Sequence, residues 1–169
     1  AGKIFSIADL DEHFSSMKGN IDFKKGGTNR APKFPMPSVW EYLLHYNYLS
    51  ENEEALKALT VTLDNMAWGG IYDHLAGGIS RYSTDAHWLV PHFEKMLYDN
   101  ALLLQTLADA YQLTQKDIYK TAIYHIVQFL ETEMKHVHGG YFAALDADSE
   151  GVEGKFYVWD KAEIEQELG

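Results

Sequence analysis

The chain has 169 residues, 46% of them hydrophobic, which is enough for one domain with a core of its own and too few for two. Its 25 acidic residues outnumber 14 basic ones, and the net charge of −11 sets the chain against nucleic-acid phosphates. There is no cysteine, so disulfides and thiolate zinc sites are excluded, in keeping with a reducing, cytoplasmic compartment.

No apolar run approaches the roughly 20 residues that span a bilayer, so no membrane partner is expected. The first residues, Ala1 to Phe5, carry no apolar signal-peptide core and no initiating Met. The chain therefore reads as one domain, 1–169, cut from inside a longer protein. Aromatic residues reach 14%, with 11 Tyr and 4 Trp. Such rings serve either as core side chains or as stacking platforms for sugars.

In chain order, a short helix over 7–17 opens at Ser6 and Asp9. Residues 26–37 hold three prolines and follow an irregular, extended path, with Arg30 and Lys33 as rim residues. Ser38 with Glu41, and Ser50 with Glu53, have the spacing of capping boxes before two helices. Helical periodicity then runs through 51–67 (Ala55, Leu56, Leu59, Leu63, Met66), 92–113 (Phe93, Met96, Leu97, Leu104, Leu107, Tyr111) and 117–134 (Ile118, Tyr119, Ala122, Ile126, Phe129). Pro91 suits the first turn of a helix starting near His92. The periodicity predicts an almost wholly helical chain, with short strands only near 78–83, 141–144 and 155–159.

Gly-Gly pairs stand at 26–27, 69–70, 77–78 and 139–140. The passages opening at Gly69-Gly70 and at Gly139-Gly140, 70 residues apart, each run through aromatic and acidic residues to a Trp and the next helix. That order suggests an internal repeat of α/α hairpins. A Gly directly after a helix would take the left-handed position there. Hairpins of this kind cannot bury their apolar stripes alone, so a ring or stack is implied. Bare helix edges would be covered by self-association of the fragment.

Polar chemistry concentrates between Gly69 and Asn100: Asp73, His74, Arg81, Asp85, His87, His92, Glu94, Lys95, Tyr98 and Asp99. His92 and Glu94 fall in a predicted first helical turn, where the helix N-terminus disfavours a protonated imidazole and favours a carboxylate. His92 then reads as a general base, and equally as a histidine bonded to a loop carbonyl. A second cluster runs from Asp146 through Asp148 and Glu150 to Glu153. Its alternate acids suggest a calcium loop, but Tyr157 occupies the position where a bidentate Glu is needed. No metal or other cofactor is expected.

The segments Ala31-Pro32-Lys33-Phe34-Pro35, Gly69 to Asp73, Arg81-Tyr82-Ser83, Trp88 to Ala101 and Asp146 to Gly151 resemble a largely uncharacterised family of large proteins. These have an N-terminal thioredoxin-like domain and include the spermatogenesis-associated thioredoxin-like proteins of animals. The resemblance implies that the chain lies downstream of that domain. It also implies an all-α fold, part of an (α/α)6 toroid similar to N-acylglucosamine 2-epimerases and related sugar enzymes, whose histidines act as acid and base in a central funnel.

Two functions follow. The first is a carbohydrate-active domain, an epimerase, isomerase or glycosidase. In it His92, Glu94 and Asp148 would be catalytic, and Arg81, Tyr82, Asp85, Trp88, Asp146, Glu150 and His74 would bind a small sugar-like ligand. The second is a non-catalytic scaffold that binds a ligand or partner beside the thioredoxin-like domain.

Overall fold

The computed structural model describes residues 6–169. Among these residues six helices carry the fold: α1 Ile7–Lys18, α2 Pro37–Ser50, α3 Glu53–Trp68, α4 Leu97–Thr114, α5 Asp117–Phe129 and α6 Lys161–Leu168. A single π-helical turn, Leu130–Met134, extends α5. Between the helices lie three two-stranded antiparallel ribbons: β1 Tyr82–Ser83 with β2 Pro91–His92, β3 Lys95–Met96 with β4 Ala144–Leu145, and β5 Asp148–Ser149 with β6 Val152–Glu153. The class is all-α with short β-hairpins in the loops, but helix accounts for about half of the chain rather than nearly all of it.

The helices pack as hairpins, α2 on α3 and α4 on α5, with α2 against α4 and α3 against α5. Their apolar stripes meet in one core that includes Trp40, Leu43, Leu59, Leu63, Leu107, Tyr119 and Ile126. Both hairpins turn through a two-residue link opened by a left-handed residue, Glu51 or Gln115. The first link is too short for the capping box expected at Ser50 and Glu53. Ser50 closes α2 and bonds back to the Tyr46 carbonyl, so Asn52 caps α3 in its place. At α2 the helix begins on Pro37 after left-handed Met36, and Ser38 lies inside it. At α1, by contrast, Ser6 and Asp9 do form the capping box.

The other end of the hairpins carries three long loops, residues 19–36, 69–96 and 135–160. Each begins with the same turn. In the first, Asp22 N–H donates to the Gly27 carbonyl and Gly26 N–H returns to the Asp22 carbonyl. In the second, Asp73 pairs with Gly78 and Gly77 in the same way. In the third, one residue shorter, His136 pairs with Gly140 and Gly139. All six glycines are left-handed. A side chain on Gly26 would run into the α3 backbone at Thr62, and one on Gly77 into the His125 carbonyl.

The repeat is real, but its phase differs from the one read in the sequence. Gly77-Gly78, not Gly69-Gly70, matches Gly139-Gly140. Gly69 has φ of −77°, so no left-handed cap is needed there. What Gly69 and Gly70 provide is close approach to the Trp88 and Leu89 carbonyls.

The loops are bolted together by two buried lysines, each in the same setting. Lys33, expected at a rim, is fully buried; its Nζ donates to Asp22 at 2.8 Å and to the Gly26 carbonyl at 2.6 Å. Lys95 Nζ donates to Asp73 at 2.8 Å and to the Gly77 carbonyl at 2.9 Å. The backbone at each lysine pairs with the following loop, Lys33 with Ser83 and Lys95 with Leu145. An aromatic ring from that following loop faces each ammonium, Trp88 at 5.7 Å from Lys33 and Tyr157 at 5.1 Å from Lys95. Ser83 and Leu145 each stand five residues after their Gly-Gly pair; the same position in the first loop is Pro32.

This bolting explains where α4 starts. The periodicity predicts helix from His92, yet residues 91–96 are extended. Lys95 is paired to Leu145, the Glu94 carbonyl accepts Arg81 N–H and the Val90 carbonyl accepts Thr84 N–H, so these groups are unavailable to a helix. Near 155–159 the predicted strand is absent, because Tyr157 and Val158 N–H turn back to the Gly154 carbonyl. The strands there are β5 and β6, joined by Glu150-Gly151, both left-handed as a type I′ hairpin requires.

Lys95→Ala strands the Asp73 carboxylate at 15% exposure, and unfolding in urea should show a loss of roughly 3–5 kcal/mol. Lys33→Ala should cost a similar amount. The double change Lys95→Met with Asp73→Asn should recover most of the loss.

A second buried acid sits in the α2–α4 seam. Both Glu41 oxygens are shielded from solvent without a hydrogen-bond partner, beside Thr106 and Asp109. Burial and Asp109 raise its pKa, against Thr106 and His45. The folded state is thus penalised once pH climbs above the ordinary carboxyl range. Glu41→Gln should stabilise the fold near neutral pH by about 1 kcal/mol, with no gain below about pH 4. Urea midpoints across pH test this.

Candidate active site in the loop face

The second loop folds over on itself as the β1–β2 ribbon, and this sets its functional side chains. Tyr82 lies opposite His92, and residues opposite each other across a ribbon share a face. Their rings stack at 4.8 Å with 14° between planes, and Phe34 of the first loop packs on Tyr82 at 4.8 Å. His92 Nε2 stands 3.7 Å from Glu153 Oε1 of β6; its Nδ1 is buried with no hydrogen-bond partner. The helix-terminus argument for a neutral His92 therefore does not apply, since His92 is five residues ahead of α4. Its setting is an aromatic stack on one side and a carboxylate on the other.

Beside it, Arg81 and Glu94 are joined twice. The guanidinium donates to Glu94 Oε2 at 2.8 Å, and Arg81 N–H donates to the Glu94 carbonyl at 2.8 Å. Asp99, in the first turn of α4, is the third member of this group. It is 8% exposed and its Oδ2 has no partner. Burial, reinforced by Glu94 and opposed by Arg81 and Tyr98, pushes its carboxyl up to about 6.

The third loop closes a cleft against the second. One lobe, of about 340 Å³, is lined by Asp73, Lys95, Phe129, Glu133, Asp146, Asp148 and Tyr157, among others. A second lobe of about 550 Å³ shares Asp73, Ser149, Phe156 and Tyr157 with it and adds Glu150, Lys155 and Trp159. Volumes of this size suit a small ligand. Asp148 stands opposite Glu153 in the β5–β6 register, so the hairpin that borders the cleft also carries the carboxylate facing His92. Asp146 Oδ1 accepts Asp148 N–H at 3.1 Å. Glu150 is bonded to Lys155.

Lys95 borders the cleft at 2% exposure, wrapped by Asp73, the Phe129 ring at 4.7 Å and Tyr157. Burial lowers its pKa against the pull of Asp73. Asp73 is raised by burial, but Lys95 and two turn N–H groups outweigh that and hold it below the usual range. The pair is thus ionised, as a structural bolt should be.

Two residues expected to bind substrate, Trp88 and Asp85, are committed to the scaffold. Trp88 is fully buried; its indole N–H donates to the Lys25 carbonyl and its ring faces Lys33, so it offers no stacking surface. Asp85 accepts the N–H groups of His87, Leu89 and Val90 and shapes the turn between β1 and β2. His74 lies edge-on against Tyr72, with Nε2 3.1 Å from the Gly69 carbonyl. Among the described residues, no group of three or more His, Asp or Glu side chains is placed to hold a metal ion.

The architecture is that of part of an α/α toroid. A sugar epimerase from a ruminal bacterium superimposes with TM-score 0.71 over 86% of this chain and 44% of its own, at 14% identity. Cellobiose 2-epimerase from Spirochaeta thermophila gives 0.70 over 83% and 39%, at 19% identity. A family 76 glycoside hydrolase from a bovine Bacteroides thetaiotaomicron strain gives 0.61 over 85% and 33%, at 15% identity.

In sequence, no family model matches. The chain is 41% identical over 170 residues to the uncharacterized protein B0495.5 of Caenorhabditis elegans, and 38% identical over 165 residues to spermatogenesis-associated protein 20 of Homo sapiens. Each alignment covers 92% of this chain but only 23% and 21% of those proteins, so the chain spans about a fifth of their length. No helix among the described residues is long and apolar enough to cross a membrane.

Glu153, Tyr157 and Asp99 were not singled out as site residues in the sequence. Asp99 lay in view within the polar passage, but with the helix read as starting near His92 it stood two turns inside, and nothing in the spacing marked it as buried. Because its folded pKa is raised, Asp99 weakens the fold as pH rises through the interval from about 4 to about 6. Asp99→Asn should therefore stabilise the chain at pH 8 by about 1–2 kcal/mol and leave it unchanged below pH 4. Thermal melts at the two pH values check this.

Proposed function

We propose that the loop face binds a small sugar and belongs to a carbohydrate-active toroid of the epimerase, isomerase or glycosidase kind. The observation that carries the reading is the two-lobed cleft between the second and third loops, on a fold shared with sugar epimerases. It combines open aromatic surface, at Phe156 and Trp159, with carboxylates that form no direct ion pair, at Glu133 and Asp148. Sugars are bound in this way, apolar ring faces on aromatics and hydroxyls on carboxylates. In this reading Asp148, which lines the cleft, exchanges protons with the ligand, while the His92–Glu153 couple and the Arg81–Glu94 pair, which line neither lobe, would act from beside the cleft. Further hairpins of the longer protein, or a second copy, would cover the apolar side chains exposed on α4 and α5, such as Leu102 and Tyr124.

The rival reading is a binding scaffold attached to a thioredoxin-like domain. It is favoured by how many loop acids are already engaged: Asp73 with Lys95, Glu94 with Arg81, Glu150 with Lys155, and Asp85 with backbone N–H groups. Amide NMR titration with mannose, glucose, N-acetylglucosamine and cellobiose tests the proposal. Shifts should concentrate at residues 146–159 and weaken at least tenfold in affinity in Asp148→Ala and Phe156→Ala. Saturable binding with no change in the bound sugar, in the full-length parent, would support the scaffold. No shift with any sugar would remove the carbohydrate reading.

A further inference from the structure

The extended stretch 91–96 does more than delay α4, because three of its residues reach across to the third loop. His92 Nε2 stands 3.7 Å from Glu153, and Lys95 pairs with Leu145 and faces the Tyr157 ring. Between them, Phe93 meets the residue after Glu153. Gly154 lies so close to the Phe93 ring that a Cβ there would stand 2.5 Å from it, and its φ of 73° is left-handed, so glycine is needed on both counts. The Phe93 ring also stacks on Tyr157, with centroids 5.3 Å apart and 8° between planes.

Gly154 is the knot of the third loop. Its N–H donates to the Ala147 carbonyl at 2.9 Å, and its carbonyl accepts the N–H groups of Tyr157 at 2.8 Å and Val158 at 3.0 Å. Ala147 is flanked by Asp146 and Asp148, which line the cleft, and Tyr157 holds Phe156 edge-on at 5.1 Å. Both walls that the third loop gives the cleft therefore hang from the two residues that Phe93 touches. Phe93 itself lines neither lobe and is not part of the helical core.

We propose that Phe93 is the positioning residue of the cleft, the clasp that holds Gly154 and Tyr157 and so sets where Asp148 and Phe156 stand. An aromatic ring suits this task, since it offers Tyr157 a wide apolar face, and Gly154 adds no atom to keep it away. Without the ring, the β3–β4 pair still anchors the loop at Leu145, while residues 147–158 lose their seat. The inference rests on the cleft being the binding site of the loop face, but not on what binds there.

Hydrogen exchange, read amide by amide in the labelled chain, tests it. In Phe93→Ala the amides of Gly154, Tyr157 and Val158 should exchange at least about tenfold faster, while those of α2 to α5 keep their protection and report that the variant folds. Phe93→Tyr keeps the ring and should restore protection. Gly154→Ala, which pushes the ring aside, should match Phe93→Ala. Unchanged exchange in Phe93→Ala, a loss that spreads through α2 to α5, or no restoration by Phe93→Tyr would overturn the inference. Titration of Phe93→Ala with mannose, glucose, N-acetylglucosamine and cellobiose separates this from the sugar reading. A sugar that binds the unaltered chain should bind the variant at least about tenfold more weakly, and equal binding would count against Phe93. If none binds the unaltered chain, the carbohydrate reading falls and the exchange data still decide the role of Phe93.

Discussion

The structure hangs on a buried ammonium. Lys33 and Lys95 each lie under a Gly-Gly turn, neutralised by the aspartate that opens the turn and covered by a ring from the loop that follows. Burying such a charge is costly unless its partners are complete, and completing them takes residues from two different loops. The lysine therefore forces neighbouring loops into contact. Hairpins supply the apolar core, but the lysines set how the loop ends register, and so where every candidate site residue stands. Lys95 borders the cleft as part of its frame, and the matching geometry at Lys33, remote from that cleft, argues for the same structural role in both.

Constraint by the loops also accounts for the division of labour at the site. Asp85 and Trp88 belong to the scaffold of the second loop; His92, Arg81 and Glu94 are what that scaffold presents. In the third loop, Glu150 and Gly151 form the hairpin turn, and Asp148 and Glu153 are carried on its two strands. The acidic run that looked like one cluster is thus split between geometry and chemistry.

The helices were legible because periodicity is a local signal. The stripes through Leu59 and Leu63, and through Tyr119 and Ile126, are the ones buried in the core. The start of α4 was not legible. Residues 91–96 have helical spacing, and what holds them out of a helix is pairing with the strand just before them and with residues about 50 positions later. The phase of the repeat was missed for a related reason, since a Gly-Gly pair required for close approach and one required for left-handed backbone look identical in sequence. Among site residues, the convergence of the second and third loops followed from the hairpin logic. The burial of Trp88 and of Asp99 depends on long-range packing, and no spacing rule encodes it.

Pro32 occupies in the first loop the position that Ser83 and Leu145 occupy in the next two. Those residues meet the preceding lysine through the backbone, and at Ser83 the N–H donates to the Lys33 carbonyl at 2.8 Å. Proline has no such hydrogen. At this position the first loop can accept a hydrogen bond but not donate one, so the reciprocal pairing that ties Ser83 to Lys33 has no full counterpart at Pro32.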